Sequence, residues 1–276
     1  MVVNSLFFLS DQTYVSLQYF MIYGRKISFS NPKTYSEKLT VLKLRKQNNL
    51  KIVCSDKVTA KEFLHSKGYG DYLIPTINVV TSFATIKWNE YPTPYIVKVS
   101  NGSSQSMIVD QQSVRYIDKL RFAYQSSIKH YKHGREWVYR ESKKQFIVEP
   151  FLMNNDGRSL NDYKVHCFNR VPKFITINDN NLPDNARMMI DENYDYYPYP
   201  FATGKETRVS LPAKHLLDEM MTIAKDLAQD FDFVRMDFYI IDGKVRIGEL
   251  TFYPMAGYIL RNSYEIDLLW GSYLTI

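Results

Sequence analysis

The sequence predicts a chain of mixed α and β structure with several hairpins, and three observations predict it. The runs FVRMDFYII and VRIGELTF, rich in β-branched and aromatic residues, flank Asp242-Gly243 as two strands joined by a tight turn. Residues 94–100 read as a strand that enters the small-residue stretch NGSSQS and leaves it in a second apolar run, MIV. Residues 211–229 repeat apolar side chains at helical spacing, at Leu216, Leu217, Met220, Met221, Ile223, Ala224 and Leu227, with Ser210 as the cap. With 276 residues the chain can bury a substantial core in one large domain or in two or three small lobes.

The bulk properties narrow the class. A hydrophobic fraction of 45% and a charged fraction of 23% are those of a soluble globular protein. The net charge of +6 suits phosphorylated or acidic ligands and anionic membrane surfaces. No block of Lys and Arg resembles a nucleic-acid arm, so no nucleic-acid partner is expected. Cys54 and Cys167 lie far apart without metal-ligand spacing and read as reduced, buried thiols of a cytoplasmic protein. The apolar runs SLFFL and YFMIY lack the length and flanks of a signal peptide or membrane span, so no integral membrane segment is expected. An aromatic content of 15% is assigned to core and sheet surface. No repeat or linker is visible, so the parts should interlock.

Taken in order, residues 13–23 form an amphipathic helix ending at Gly24 and packing on the body. Asn31-Pro32 marks a turn, and Thr34 or Ser36 caps a helix running to about Gln47. Ser55-Asp56-Lys57 opens the next helix, which ends at Gly68; an acidic residue in the first turn suits the helix dipole. YLIPTINVV reads as a strand. From Ser113 to Lys144 the pattern is helical and basic, and the group His130, His133 and Glu136 lacks zinc spacing and reads as a solvated face. QFIVEPFL is an apolar strand breaking at Pro150; an unpaired buried Glu149 would be costly, which calls for a polar partner there. LNDYKVHCF follows as a strand, with Asp162, Lys164 and His166 on one face. Residues 173–200 hold a second sheet-like run and a loop rich in Tyr and Asp, with Arg187 as a further cation.

The C-terminal hairpin carries the sharpest chemistry. A two-residue turn would set Asp237 opposite Gly248 and send Glu249 to the other face. A three-residue loop, Asp242-Gly243-Lys244 with a glycine bulge, puts Asp237 across from Glu249 and Arg235 across from Thr251, and this register is the one expected. Directly opposed carboxylates lie roughly 5 Å apart and repel unless a cation stands between or above them. Two or three oxygen ligands, with positions left for water and phosphate, describe Mg²⁺. Arg235, on the same face, reaches an anionic group there. The alternative is a surface hairpin whose acids are neutralised by Arg235 and Arg246.

The R-x-D strand followed by GELTFYP, with NPKTYSEKL, the D-K at Asp56-Lys57, the V-K strand at Lys98, EPFL and DYK in order along the chain, resembles the TupA-like branch of the ATP-grasp superfamily, associated with teichuronopeptide and other surface-polysaccharide biosynthesis. The resemblance spans roughly residues 31–257. It implies an α+β ATP-grasp fold, two lobes whose antiparallel sheets clasp the nucleotide. The expected layout is an N-terminal helical segment (1–50), a small α/β segment (51–93), an N-lobe with phosphate loop (94–148), a C-lobe with hinge and metal site (149–257) and a C-terminal segment (258–276).

The resemblance also implies roles. Lys57 and Lys98 contact ATP phosphates, and Ser100, Gly102, Ser103 and Ser104 form the phosphate loop over them. That loop departs from the branch in Asn101, Ser104 and Gln105, and Lys61 stands where an arginine is usual. Glu149 and Pro150, with the backbone N–H groups of Phe151 and Leu152, face adenine. Asp162 accepts from the ribose, Lys164 and Arg235 serve phosphoryl transfer, and Asp237, Glu249 and Thr251 hold Mg²⁺. The implied chemistry uses ATP to convert a carboxylate to an acyl phosphate, which an amine displaces. The implied partners are a uronic-acid-containing sugar or polysaccharide precursor and an amino acid, at a cytoplasmic location that includes the inner face of the membrane. Glycosyl transfer from a nucleotide sugar is the alternative enzyme class, for which D-E-N-Y-D at Asp191 to Asp195 is a poor D-x-D metal motif. A non-catalytic nucleotide-binding relic is the third reading.

Overall fold

Two antiparallel sheets, each with its own apolar core, face one another across a cleft in the computed structural model. It describes residues 6, 8–45, 48–103, 105–110, 114–182, 186–197, 209–258 and 263–276. The smaller sheet has the order β1-β4-β2-β3, built from β1 (Asn78–Val80), β2 (Tyr95–Val99), β3 (Ser106–Val109) and β4 (Phe146–Pro150). The larger has the order β7-β6-β5-β8-β9, built from β5 (Asp162–Phe168), β6 (Val171–Asp179), β7 (Ala186–Asp191), β8 (Phe233–Ile241) and β9 (Lys244–Thr251). The expected α+β class with two antiparallel sheets is the fold observed.

Period-2 alternation decides what each sheet presents to the cleft. In β2 the side chains of Tyr95, Val97 and Val99 are buried in the small core, while Ile96 and Lys98 between them line the cleft. In β8, Val234, Met236 and Phe238 enter the large core, leaving Arg235, Asp237 and Tyr239 on the cleft face. Helix α8 (Lys214–Leu227) supplies Leu216, Leu217, Met220, Ile223, Ala224 and Leu227 to the same core, as its apolar spacing demands. Its start is later than expected: the N-cap is Ala213, and Ser210 lies before Pro212, whose ring disfavours helical backbone at Leu211.

The N-terminal signature proves to be a structural clamp. Thr34 caps α2 (Tyr35–Leu44) in a reciprocal capping box with Glu37. Tyr35 is fully buried against Phe168, Phe233 and Trp270. The Ser36 N–H donates to Asp267 at 2.7 Å, and Lys38 Nζ donates to the Gly271 and Leu274 carbonyls at 2.8 and 2.6 Å, which ties α2 to α9 (Tyr264–Ser272). Helix α1 (Asp11–Tyr23), ended by Gly24 in the left-handed conformation, packs on the body through Tyr14, Val15 and Tyr19. Helix α4 (Lys57–Ser66) follows α3 (Asn49–Ser55), with Asp56 as its cap, accepting from the Val58 and Thr59 N–H groups.

Three expectations need correction. YLIPTINVV is strand only at β1; Leu73 makes an isolated bridge to Ile247, and Pro75 breaks the run between them. The helical stretch is divided into α5 (Tyr116–Ser127), α6 (His130–Gly134) and α7 (Val138–Glu141), and its Glu136 is buried rather than on a solvated face. In the hairpin, Asp237 pairs with Glu249 and Arg235 with Thr251 as expected, but by a different geometry. The turn is the two-residue kind, with Asp242 and Gly243 both at positive φ and Ile241 paired to Lys244. The extra residue lies within β9: the ladder shifts between Asp237 and Phe238, and Gly248 is the bulge.

That bulge requires a glycine for space, since a Cβ there would stand 2.6 Å from the Tyr239 ring and 3.2 Å from the Asp237 carbonyl oxygen. Gly248→Ala is therefore expected to lower stability by about 1–3 kcal/mol. Thermal unfolding of the variant checks this, and an unchanged midpoint would mean that the ring moves aside freely.

Candidate active site

The wall of the cleft contributed by the smaller sheet is a lysine-carboxylate cluster. Ile96 on β2 pairs with Glu149 on β4, which sets Glu149 beside Lys98 on the same face. Lys98 Nζ donates to Glu149 Oε2 at 2.7 Å, and Lys61 of α4 donates to Oε1. Lys61 also donates to the Ile74 carbonyl at 2.7 Å and to Thr76 Oγ1 at 2.8 Å, so its ammonium is fully engaged. Burial alone would raise the Glu149 pKa, but Lys98 and Lys61 outweigh it and hold the carboxyl below its ordinary range. The polar partner that the sequence called for at Glu149 is this pair of lysines.

Lys57, the first residue of α4, donates from Nζ to the Gly102 carbonyl at 2.5 Å, and its N–H donates to the Ser100 carbonyl at 3.0 Å. The loop after β2 is thereby anchored to α4. Burial lowers the Lys57 pKa, and Glu249 opposes that effect. Ser100 is fully buried, its Oγ accepting from the Gln145 N–H, so it holds the loop's base rather than lining the cleft. Ser103 does line the cleft. Ser104 lies outside the described residues. Gln105 donates to the Gln125 and Ile128 carbonyls at 2.8 and 3.2 Å, which fastens the far side of the loop to α5.

The floor is the polar face of the larger sheet. Lys164 on β5 pairs with Asp237 on β8, which in turn pairs with Glu249 on β9. Arg235 grips Asp237 through Nε and Nη2 at 2.6 and 2.7 Å, and Lys164 Nζ adds a third contact at 2.9 Å. Arg235 Nη2 also reaches Glu249 at 3.5 Å and Thr251 Oγ1 at 3.3 Å, and Thr251 donates to Glu249 at 3.0 Å. Burial opposes ionisation of Asp237, yet Arg235 and Lys164 together keep its carboxyl below the usual range. The cation that the opposed carboxylates call for is thus first of all Arg235. Arg246 turns away and donates to the Asp71 carbonyl. His166 is neutral, because burial and the neighbouring Arg235 push its pKa well down; it stacks on Phe174 and bonds Thr176.

Between wall and floor is a cavity of about 520 Å³. Of the expected residues, Lys57, Lys98, Ser103, Glu149, Pro150, Phe151, Leu152, Asp162, Lys164, Arg235, Asp237 and Glu249 all border it. Ser100, Gly102 and Thr251 do not, and Arg187 is exposed on the edge strand β7. In the apolar corner, the Phe151 N–H is already donated to the Pro94 carbonyl, so the Leu152 N–H is the donor left of the two expected to face adenine. Ile74, Ile96 and Tyr239 also line the cavity and were not singled out from the sequence. Two of them were within reach of it, since Ile96 precedes Lys98 by two residues and Tyr239 follows Asp237 by two. Ser159 and Asn180, from connecting segments, carried no signal.

The donor set suits a hard divalent cation: Asp237, Glu249 and the Thr251 hydroxyl are all oxygen ligands, and Glu249 is partly exposed. Among the described residues no group of three or more His, Cys, Asp and Glu gathers to hold a metal alone. Two carboxylates with positions left for phosphate is the Mg²⁺ pattern rather than a closed structural site.

The sequence matches the family described as TupA-like ATPgrasp over residues 37–275, and the chain belongs to that family. No curated protein matches it. Among solved structures it is similar to the D-alanine–D-alanine ligase of Helicobacter pylori, at 16% identity and a TM-score of 0.45, covering 86% of this chain and 60% of that one. It is also similar to the D-alanine–D-alanine ligase of Bacillus anthracis, at 18% identity and a TM-score of 0.40, covering 72% and 57%. The phosphoribosylamine–glycine ligase of Thermotoga maritima matches at 14% identity and a TM-score of 0.42, covering 73% and 48%. This chain thus spans about half to three-fifths of the length of these ligases.

Glu149→Gln leaves Lys61 and Lys98 without their counter-charge in a mostly buried setting, and is expected to cost about 3 kcal/mol at neutral pH. Because the folded-state pKa of Glu149 is lowered, its contribution is complete above the ordinary value of 4.5 and is lost as pH falls through the lower folded value. The gap in unfolding free energy between the wild type and Glu149→Gln should therefore close on acidification. A gap independent of pH would show that the ion pairs are not its source.

Proposed function

We propose that this protein is an ATP-dependent carboxylate-amine ligase that activates a carboxylate as an acyl phosphate and passes it to an amine. The observation that carries the reading is the convergence of Lys57, Lys98, Lys164 and Arg235 with the opposed carboxylates Asp237 and Glu249 in one cleft between two sheets. Family membership supports it. The substrates read from the family are a uronic acid of a surface polysaccharide or its precursor and an amino acid. No helix among the described residues is long and apolar enough to cross a membrane.

In this reading adenine lies against Ile74, Ile96 and Leu152, with the Leu152 N–H for its polar edge, and Asp162 accepts from the ribose. The phosphates run toward Lys57, Lys98 and Lys164 beneath the loop at Ser103. Asp237 and Glu249, with Thr251, would hold Mg²⁺, which supplies charge neutralisation for the phosphates when bound. Phosphoryl transfer needs alignment and cations more than covalent help from the protein, and fixed ammonium and guanidinium groups provide both. Arg235 and Lys164 are the residues placed to stabilise the charge that develops as the γ-phosphoryl group moves to the carboxylate. The acyl phosphate is then attacked by the amine, and phosphate departs.

The first test is thermal unfolding with ATP or ADP, with and without Mg²⁺, beside the same titration with UDP-sugars. A ligand at a hundred times its Kd adds about 2.7 kcal/mol, several degrees for a chain of this size. A Mg²⁺-dependent shift with adenine nucleotides alone is expected. A shift with a UDP-sugar and none with ATP would replace the ligase by a glycosyltransferase. Glu249→Gln is expected to lower ADP release at least about 100-fold in the presence of uronic and amino acids while leaving the unfolding midpoint within a few degrees. Full activity of that variant would remove Glu249 from the metal set, and nucleotide binding with no ADP release by the wild type would mark a binding relic.

A further inference from the structure

A second cavity, of about 420 Å³, lies behind the first and is assigned no role by the nucleotide cleft. The two share Lys57, Ser103, Arg235 and Glu249 as lining, so they meet at the carboxylates of the floor, where the phosphate chain ends in the reading above. The second cavity is bounded by α4, by β9 and by the α6–α7 segment, and is closed by residues 254–258. Away from the junction its chemistry changes. The cations Lys57, Lys61 and Arg235 give way to the buried carboxyl of Glu136 among Tyr139, Tyr253 and Tyr258.

The region around Glu136 is built with care. Lys43, itself fully buried, is its electrostatic counterpart and is not among the residues that line the cavity. Lys43 donates to the Ala256 carbonyl at 2.7 Å and stands 3.9 Å from the centre of the Tyr258 ring. Its charge is thereby shared with a turn in which two consecutive non-glycine residues, Met255 and Ala256, have φ of 52° and 55°. Backbone of that kind is sustained only where surroundings over-determine it, and such residues gather at ligand sites. Tyr258 is held in turn by its hydroxyl, which donates to Gln18 of α1 at 3.0 Å.

Burial pushes the Glu136 carboxyl up to about 8 and Lys43 opposes that effect, so a second cation entering the cavity favours its ionised form, and the tyrosine ring faces add to the attraction for an ammonium group. The anionic groups of a ligand are served by Lys57 and Arg235 at the junction. We propose that the second cavity is the seat of the amine substrate, an amino acid whose ammonium group is bound by Glu136 among Tyr139, Tyr253 and Tyr258. This rests on the ligase reading and adds to it the place and the recognising residue of the amine. The cavity joins the nucleotide cleft beside Glu249; the bound ammonium group gives a proton to the Glu136 carboxylate, and the free amine so formed attacks the acyl phosphate made at that end, releasing phosphate.

The test measures binding of each of the twenty common L-amino acids, and of glucuronate and galacturonate, to the full chain saturated with ADP and Mg²⁺, by ligand-observed NMR. At least one amino acid should bind, and Glu136→Gln should weaken it at least tenfold while the ADP affinity changes less than twofold. Ser55→Trp, which puts a large ring at the cavity lining without removing the carboxylate, should abolish amino-acid binding and spare ADP, and it serves if Glu136→Gln does not fold. Binding of none of the twenty, or binding untouched by both variants, overturns the proposal. So does loss of uronate rather than amino-acid binding in the variants. Failure of ADP itself to bind the wild type would instead strike at the ligase reading.

Discussion

Everything in the cleft depends on one extra residue in β9. Side chains alternate along a strand, so an uninterrupted ladder from the Asp242-Gly243 turn would pair Asp237 with Gly248 and turn Glu249 toward the core. The bulge at Gly248 shifts the remainder of β9 by one position. Glu249 and Thr251 then share a face with Asp237 and Arg235, and Leu250 enters the core. The bulge is seated on the Tyr239 ring, so the aromatic residue that lines the cleft also occupies the space that a side chain at position 248 would need. Core packing and site assembly are in this way one constraint: a register that exposed Leu250 would also separate the carboxylates.

The second constraint is charge. Asp237 is 3% exposed and would be costly to ionise without compensation, yet three contacts from Arg235 and Lys164 make the ionised form the favoured one. Glu149 is 4% exposed and is served the same way by Lys61 and Lys98. Each sheet therefore brings a buried carboxylate with two cations to the cleft. These carboxylates act as anchors that fix the cations' positions, since a long lysine without a partner would be free to leave the site for water.

Much of this was legible in the sequence because it is local. The strands of the hairpin, a cap at Thr34 or Ser36, a helix start at Asp56-Lys57 and the face shared by Asp162 and Lys164 all follow from spacing within a few residues, though Asp56 proves to be the cap rather than a first-turn acid. The pairing of Asp237 with Glu249 was also reached, though by a wider turn than the one observed, because a bulge and a longer loop change the register by the same single step. What escaped was long-range. Nothing near Ser36 announces Asp267, and nothing near Lys61 announces Glu149. The second cavity is assembled from stretches far apart in the chain, from Gln18 to Tyr258, and Glu136, in a basic segment, reads as solvated until Lys43 is brought against it. The mostly polar connection after β3 likewise gave no sign that it would break into three helices.

In the proposed ligase reading, the anchored cations bear on how the cleft would bind phosphate. Lys98 and Arg235 are paired before any ligand arrives, so an incoming phosphate does not find bare charges; it exchanges partners with, or adds to, existing carboxylates. The gain in binding is then the difference between two sets of charge-assisted contacts and is smaller than a count of contacts suggests. The gain in rate is not reduced in the same way. Cations already held in place need no reorganisation when charge develops in the transition state, and preorganisation of that kind raises turnover rather than ground-state affinity. Lys57 differs from the others, because its ammonium is held by a carbonyl of the loop and not by a carboxylate. A phosphate drawing on Lys57 would compete with the Gly102 carbonyl for its protons, which couples the position of the loop to occupancy of the cleft.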